Sequence, residues 1–353
     1  MYALITAGPR HTWPAAAPRL LLAGLMVLLL VGLATPPDPM GVPNAPASHD
    51  GRDLLLFRAV AARVTHGEAY YPTMGDELTT RGYPTGSVAN WRTPLYLELV
   101  ARMPLALRGL LMLLGVLVVI GTGLALRAVS TPAWLAGLLL QIGVVAALWR
   151  SDLFVMPEPL TGALIALSVL VFLRGWRDTS VLLGTAALFV RELAAPYVGI
   201  RLAWAVWRRD WREAIGWALG LGVYGLYLVW HIGQVHQAMP AHPTWHPVSW
   251  IQYGGLRFVL VTVRSNAWLT MLPWWMTPFA LVAALLGAWK APPVVSLSIV
   301  GYFMAFAIVG LPFNWYWGWV PGMLLPFAWA QIGQCQPVAT ETARSIGRPT
   351  KSL

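Results

Sequence analysis

Apolar runs interrupted by brief charged punctuation set the pattern of this chain. A helix crossing a bilayer needs roughly 20 mainly apolar residues. Runs of that character predict spans at about residues 20–34, 106–125, 132–149, 159–173, 213–230, 268–289, 294–311 and 315–332. The stretch 179–207 is long for one span and short for two, and it carries Arg191, Glu192 and Pro196 in its middle. Arginines stand at both of its ends, Arg174 and Arg177 before it and Arg208 and Arg209 after it, which favours a hairpin of two short helices over one long tilted helix. The expected fold is therefore all-α, a polytopic helical bundle of about ten spans (9 to 11). Helices are expected because an open strand would leave backbone groups unpaired in hydrocarbon, and the ten-residue alternation of a membrane β-barrel is absent from the sequence.

Between the first and second runs the pattern changes. Residues 35–105 form a large, weakly hydrophobic loop that opens on the proline-rich string TPPDPMGVPNAPASHD. DLLLFRAVAARV, from Asp53, then sets Leu54, Phe57, Val60 and Ala61 at helical spacing with Arg58 and Arg63 elsewhere, the mark of an amphipathic helix able to lie on a membrane surface. A second short element is expected at about 93–102. Two further polar loops are expected, 150–158 and the His- and Trp-rich 231–267, with a flexible tail over 334–353 after a single membrane module, 1–333.

Composition sharpens this picture. Of the 353 residues 58% are hydrophobic and 11% charged, against about 25% charged in an average soluble domain. The formal charge of +10 arises mostly from arginines at the ends of segments, so it reads as a topology signal and anionic-lipid contact, not as nucleic-acid binding. The charge bias puts both termini in the cytoplasm and the three polar loops outside. The first run is expected to be a retained helix, not a signal peptide, because no small-residue cleavage site follows it cleanly. A single cysteine, Cys335, excludes an intrachain disulfide framework.

Candidate chemistry gathers in the outer loops. Asp50 and Asp53 lie where the first loop meets the amphipathic helix, where a partly desolvated carboxylate can serve as a general base; DGRD is equally a helix-start signal, so capping accounts for either residue without catalysis. Arg150, Asp152, Glu158, Arg191 and Glu192 form a second group. Ionised residues at such depth face a cavity or each other, so Arg191 either pairs with Glu158 or Glu192 to hold the helices or offers its fork to a phosphate. His231, His236, His242 and His246 have spacings that match no tight metal motif. Trp230, Trp245 and Trp250 beside them suit an interfacial belt or a platform for a sugar or lipid head group. Walker, Rossmann and G-x-S-x-G signatures are absent from the sequence.

Several strings resemble a known superfamily. GRDLLLFRAVAARVTHGEAYY has an acidic residue, an aromatic four positions on, small residues, then glycine and tyrosine: Asp53, Phe57, Ala61 and Ala62, Gly67 and Tyr70. With NWRTPLYLELV, SDLFVMPEPLTGALIAL and ALFVRELAAPY it resembles the GT-C membrane glycosyltransferases that use polyprenyl-phosphate sugars, in the bacterial mannosyl- and arabinosyltransferase-like branch. FNWYWGWVPG departs from that pattern, standing where many members carry an arginine. The resemblance implies an inverting transfer of a sugar from a polyprenyl-phosphate donor to a lipid or cell-envelope glycan acceptor, on the outer face of the bacterial inner membrane. It implies Asp53 as base, with Asp50 competing; Arg191, helped by Arg58, Arg92 or Arg150, at the donor phosphate; and Asp152, Glu158, Glu192, His246 and Trp245 toward sugar or acceptor. Membrane lipids would be the surrounding partners. No cofactor is required by such chemistry, and a divalent metal is not expected. Two rival classes remain: a lipid or sugar transporter or flippase, favoured by broken spans, and a non-catalytic partner presenting its Trp-rich loops to an envelope enzyme.

Overall fold

The computed structural model describes residues 52–245, 255–310 and 312–332 together with Ala23, Gly24 and Val27. All but those three residues of the expected first span, the proline-rich connector, Asp50, His246, Trp250 and the tail 334–353 lie outside the described residues.

The regular elements of the described chain are helices, joined by turns and short extended connectors. Helix α1 (Arg52–Thr65) carries Asp53 in its first turn and Arg63 in its last, complementing the helix dipole at both ends. It buries Leu56, Phe57, Val60, Ala61 and Val64. That face packs on α2 (Tyr70–Thr80) and α3 (Pro94–Arg102), so it is sealed by protein, and only positions such as Leu55 and Arg58 look outward. Gly67, at φ +95°, takes the left-handed turn that lets the chain double back into α2. Pro94 and Pro104 open α3 and α4 (Pro104–Leu126), where a missing N–H costs nothing.

Helix α4 pairs with α5 (Thr131–Trp149), and both contact α6 (Glu158–Leu173). Next come α7 (Arg177–Val190) and α8 (Ala195–Trp207), then α9 (Trp211–Ala238), which packs on both. The stretch 179–207 is thus two helices broken at Arg191. They run antiparallel, because the start of α7 meets the end of α8 through the Arg177–Asp210 ion pair and the Arg201–Ser180 hydrogen bond. After α9 the described chain resumes with α10 (Gly255–Val263), α11 (Ala267–Thr270), α12 (Thr277–Lys290), α13 (Pro293–Ile308), α14 (Trp319–Gly322) and α15 (Leu325–Trp329).

Among the described residues three helices, not nine to eleven, are long and apolar enough to cross a membrane: α4, α5 and α9. This corrects the expected span count, while the all-helical class stands. Helices α6 and α13 are apolar but only 16 residues each, about 24 Å at 1.5 Å per residue. The stretch 268–289 breaks at Pro273 into α11, a tight turn at Trp274–Met276 and α12. The stretch 315–332 breaks into the turn Pro312–Gly318, α14 and α15, around Pro321, Gly322 and Pro326. Trp319, Val320, Leu325, Phe327 and Ala328 there are buried in protein, so their apolarity serves the core. Hydropathy cannot separate these two uses of a hydrophobic run.

The three long helices behave otherwise. On α9, Ile215, Leu219, Val223, Leu226 and Val229 form an exposed apolar stripe at helical spacing, and α4 exposes Leu110, Leu113, Leu117, Ile120 and Leu124. Such faces are consistent with a membrane-associated protein. Small residues let the broken elements approach closely. A Cβ on Gly143 would meet Trp268 and Asn266 at 2.3–2.5 Å, and here Asn266 Nδ2 and Trp268 Nε1 donate to the Leu140 and Leu139 carbonyls of α5.

Candidate functional site

At one end of the α6–α7–α8 group the chain concentrates charge inside the fold. Glu158 opens α6 between Pro157 and Pro159, where the helix N-terminus favours an anion, and it is fully buried. Arg191 sits in extended conformation (φ −156°, ψ 127°) at the break between α7 and α8. Its Nε donates to Glu158 Oε1 at 3.0 Å and its Nη1 to Glu192 Oε1, so it pairs with both acidic candidates. Arg191 Nη2 and Glu158 Oε2 are buried without a hydrogen-bond partner.

Arg92 reaches the same group from the first loop, with Nη1 3.4 Å from Glu192 Oε1 and its guanidinium 5.8 Å from the centre of the Phe57 ring. Its backbone is pinned on both sides. Tyr70 donates to the Arg92 carbonyl at 2.6 Å, and His231 Nε2 lies 2.8 Å from the Trp91 carbonyl. Because a carbonyl only accepts, His231 Nε2 carries the proton there, and Nδ1 accepts from Tyr71 at 2.9 Å. His231 therefore fastens α9 to the first loop.

Asp53 completes the group. Tyr83 donates to its Oδ1 at 2.7 Å, and Tyr316 donates to its Oδ2. Arg92, paired with Glu192, also lies within electrostatic reach of Asp53 and Glu158. Burial, and next the Asp53 carboxylate, hold the Tyr83 hydroxyl well above the usual tyrosine range, so it stays a donor. A narrow cleft lined by Phe57, Arg92, Tyr96, Leu97, Val155 and Arg191 opens on this group. Its lining is mostly apolar, with Thr93 and the two guanidinium groups as its polar part, and those guanidinium groups are paired with Glu158 and Glu192.

The other candidates are placed apart. Arg150 pairs with Asp152 at the surface, and Arg58 Nη2 donates to the Asp152 carbonyl at 2.7 Å. The Arg150 guanidinium holds the Asp152 carboxyl below the ordinary carboxylate range, so this exposed pair is matched within itself. Trp245 lies against Gly86 with most of its ring exposed, beside Thr244, which pairs with Thr85 and Gly86. Trp230 stacks on Tyr227 with centroids 5.6 Å apart. Among the described residues no group of three or more His, Cys, Asp or Glu side chains could hold a metal ion.

Tyr83 and Tyr316 escaped the sequence reading. They stand 30 and 263 positions from Asp53 and are joined to it only by folding. The string FNWYWGWVPG, conspicuous for its missing arginine, was the one sequence signal near Tyr316. Comparison with family models, with curated proteins and with solved structures finds no match.

Proposed function

We propose that the chain is a membrane glycosyltransferase that moves a sugar, with inversion, from a polyprenyl-phosphate donor to a lipid or cell-envelope glycan acceptor. One observation carries this reading: Arg92 and Arg191 line one cleft, where Arg191 keeps a buried, unpartnered N–H, and Arg92 lies within electrostatic reach of the Asp53 carboxylate that Tyr83 orients. The acceptor oxygen attacks the anomeric carbon as Asp53 takes its proton, and the bond from that carbon to phosphate oxygen breaks with its electron pair on the phosphate. Arg92 and Arg191 face the charge that develops on this leaving group, a contribution worth about 10²–10³ in kcat for one well-placed donor. The resemblance of the first-loop strings to the GT-C transferases supports the same assignment.

A membrane frame fits this chemistry. Trp211 and Trp230 on α9 are 19 residues apart, about 28 Å along a helix, close to the thickness of a hydrocarbon core. Arg174, Arg177, Arg208 and Arg209 gather at the Trp211 end, so that end belongs in the bacterial cytoplasm and the Asp53 end outside.

The test is transfer by purified protein in nanodiscs, with radiolabelled polyprenyl-phosphate sugars as donors and a membrane extract as acceptor. Wild type labels a product; Asp53→Asn loses about 100-fold or more of that rate, and Arg191→Lys loses part of it. Equal rates in wild type and Asp53→Asn would remove the base. Transfer by none of the donors would remove the activity, and passage of intact donor across a sealed membrane would replace it with a flippase.

A further inference from the structure

We propose that Asn314 is a positioning residue for Asp53 and acts through Tyr316: an Asn314 side-chain N–H donates to the Tyr316 oxygen while the Tyr316 hydroxyl donates to the Asp53 carboxylate. Its role in transfer rests on the transferase reading, whereas the chain of hydrogen bonds rests on geometry alone.

Two donors in the Pro312–Gly318 turn are buried without an acceptor, Asn314 Nδ2 and Trp317 Nε1. Asn314 is 1% exposed, so water does not reach its N–H, and a buried donor in that state costs about 1–3 kcal/mol. At the other end of the same amide, Oδ1 lies 3.4 Å from the Tyr316 hydroxyl. That hydroxyl has one proton, and Asp53 Oδ2 already takes it. An amide oxygen facing Tyr316 is therefore an acceptor with no proton left to accept, while its nitrogen is a donor with nothing to donate to. Rotation by half a turn about Cβ–Cγ exchanges the two ends without changing the shape of the side chain, and the hydrogen bonds decide between them. The nitrogen then meets a lone pair of the Tyr316 oxygen. The carbonyl takes the other position, where an unpaired acceptor is tolerated better than an unpaired N–H.

The turn that carries this chain is held firmly. Ser265 Oγ donates to the Trp315 carbonyl at 3.3 Å, and Trp317 packs edge-on against Phe258 with centroids 6.0 Å apart. The turn as a whole contacts α10, and Tyr316 is buried. Asp53 stands on the first turn of α1 and is only partly buried. The other charged or titratable groups that face it are Arg92 and Tyr83, with Arg52 over the Tyr83 ring, and all of them belong to the first loop. Tyr316 is thus the group that ties this carboxylate to the C-terminal part of the chain. A second donor behind Tyr316 polarises its O–H and fixes its direction, and through it the plane of the carboxylate.

The experiment uses full-length protein in nanodiscs, labelled with 15N-asparagine, of which the chain has four. The side-chain signals that Asn314→Asp removes are those of Asn314; in wild type one of its two N–H signals lies downfield of the other, and in Tyr316→Phe that separation collapses. Infrared difference spectra against Asp53→Asn isolate the Asp53 carboxylate stretch, which shifts in the same sense in Tyr316→Phe, Asn314→Asp and Asn314→Leu. In the transfer assay each of these three variants loses about fivefold or more in kcat while KM for the sugar donor stays within about twofold. Asn314→Asp keeps the size of the side chain and offers only oxygens, so it would act as wild type if the oxygen were the end that serves Tyr316. The proposal is overturned if the Asn314 signals are the same in wild type and Tyr316→Phe, if the Asp53 stretch in Asn314→Asp or Asn314→Leu stays where it is in wild type, or if Asn314→Asp keeps the wild-type kcat. If Asn314→Leu does not fold, Asn314→Asp and Tyr316→Phe carry both spectra. The spectroscopic pattern without transfer from any polyprenyl-phosphate sugar would retain the hydrogen-bond chain and remove the transferase reading, and transfer at the wild-type kcat in all three variants would do the reverse.

Discussion

Glu213→Ala tests the structural premise on which the whole site depends. Roughly 15 Å below Arg191 along the α7–α8 hairpin, Arg201 and Glu213 form an ion pair with side chains 0% and 1% exposed. Arg201 Nη1 also donates to Tyr197 at 3.1 Å and Ser180 at 3.3 Å, and its guanidinium lies 3.8 Å from the centre of the Phe172 ring. One residue thus ties α6, α7, α8 and α9 together. Removing the Glu213 carboxylate leaves a buried guanidinium uncompensated, at a cost of about 3–5 kcal/mol. It also strips the acceptor from Trp217 Nε1, now 3.2 Å from Glu213 Oε1, which adds about 1 kcal/mol or more. The expected loss is about 4–6 kcal/mol, read by equilibrium unfolding in mixed micelles. The double variant Arg201→Met with Glu213→Leu removes both charges and should recover to within about 2 kcal/mol of wild type, since an apolar pair can replace a buried ion pair. A loss below about 1 kcal/mol in Glu213→Ala, or a double variant no more stable than the single one, would refute the lock.

Three other outcomes are expected. Gly143→Ala drives a methyl into Trp268 and Asn266 and should cost about 1–3 kcal/mol, whereas Gly109→Ala, with nothing within 4 Å of the new carbon, should be neutral or slightly stabilising in the same unfolding assay. The Tyr83 hydroxyl is held above its ordinary value by burial and by Asp53. Above pH of about 10 the unfolded chain therefore loses this proton while the folded chain keeps it, so stability falls as pH rises, and Tyr83→Phe should flatten that fall in a pH-resolved unfolding series. Asp152→Asn opens only an exposed ion pair and should change stability by less than about 1 kcal/mol; a larger loss would mean that the Arg150–Asp152 pair carries part of the fold.

By itself the sequence determined the helical class, because no strand pattern competes with its apolar runs, and it located α4, α5 and the start of α9 closely. The break at Arg191 was legible too, since charges and Pro196 in mid-run cannot continue a buried helix. Asp53, Arg92, Glu158, Arg191 and Glu192 were all named as candidates from residue type and position, though not as one cluster. Tertiary structure decided the rest. Runs such as 268–289 and 315–332 are as apolar as a membrane span, yet packing folds them into short pieces, because burial in protein and burial in lipid demand the same residues. The separation of Arg150 and Asp152 from the Arg191 cluster was equally invisible, since charge partners chosen across long sequence distances leave no spacing to read. So were Tyr83 and Tyr316: a hydroxyl that meets Asp53 across 263 positions is set by how the helices pack, and no local pattern encodes it.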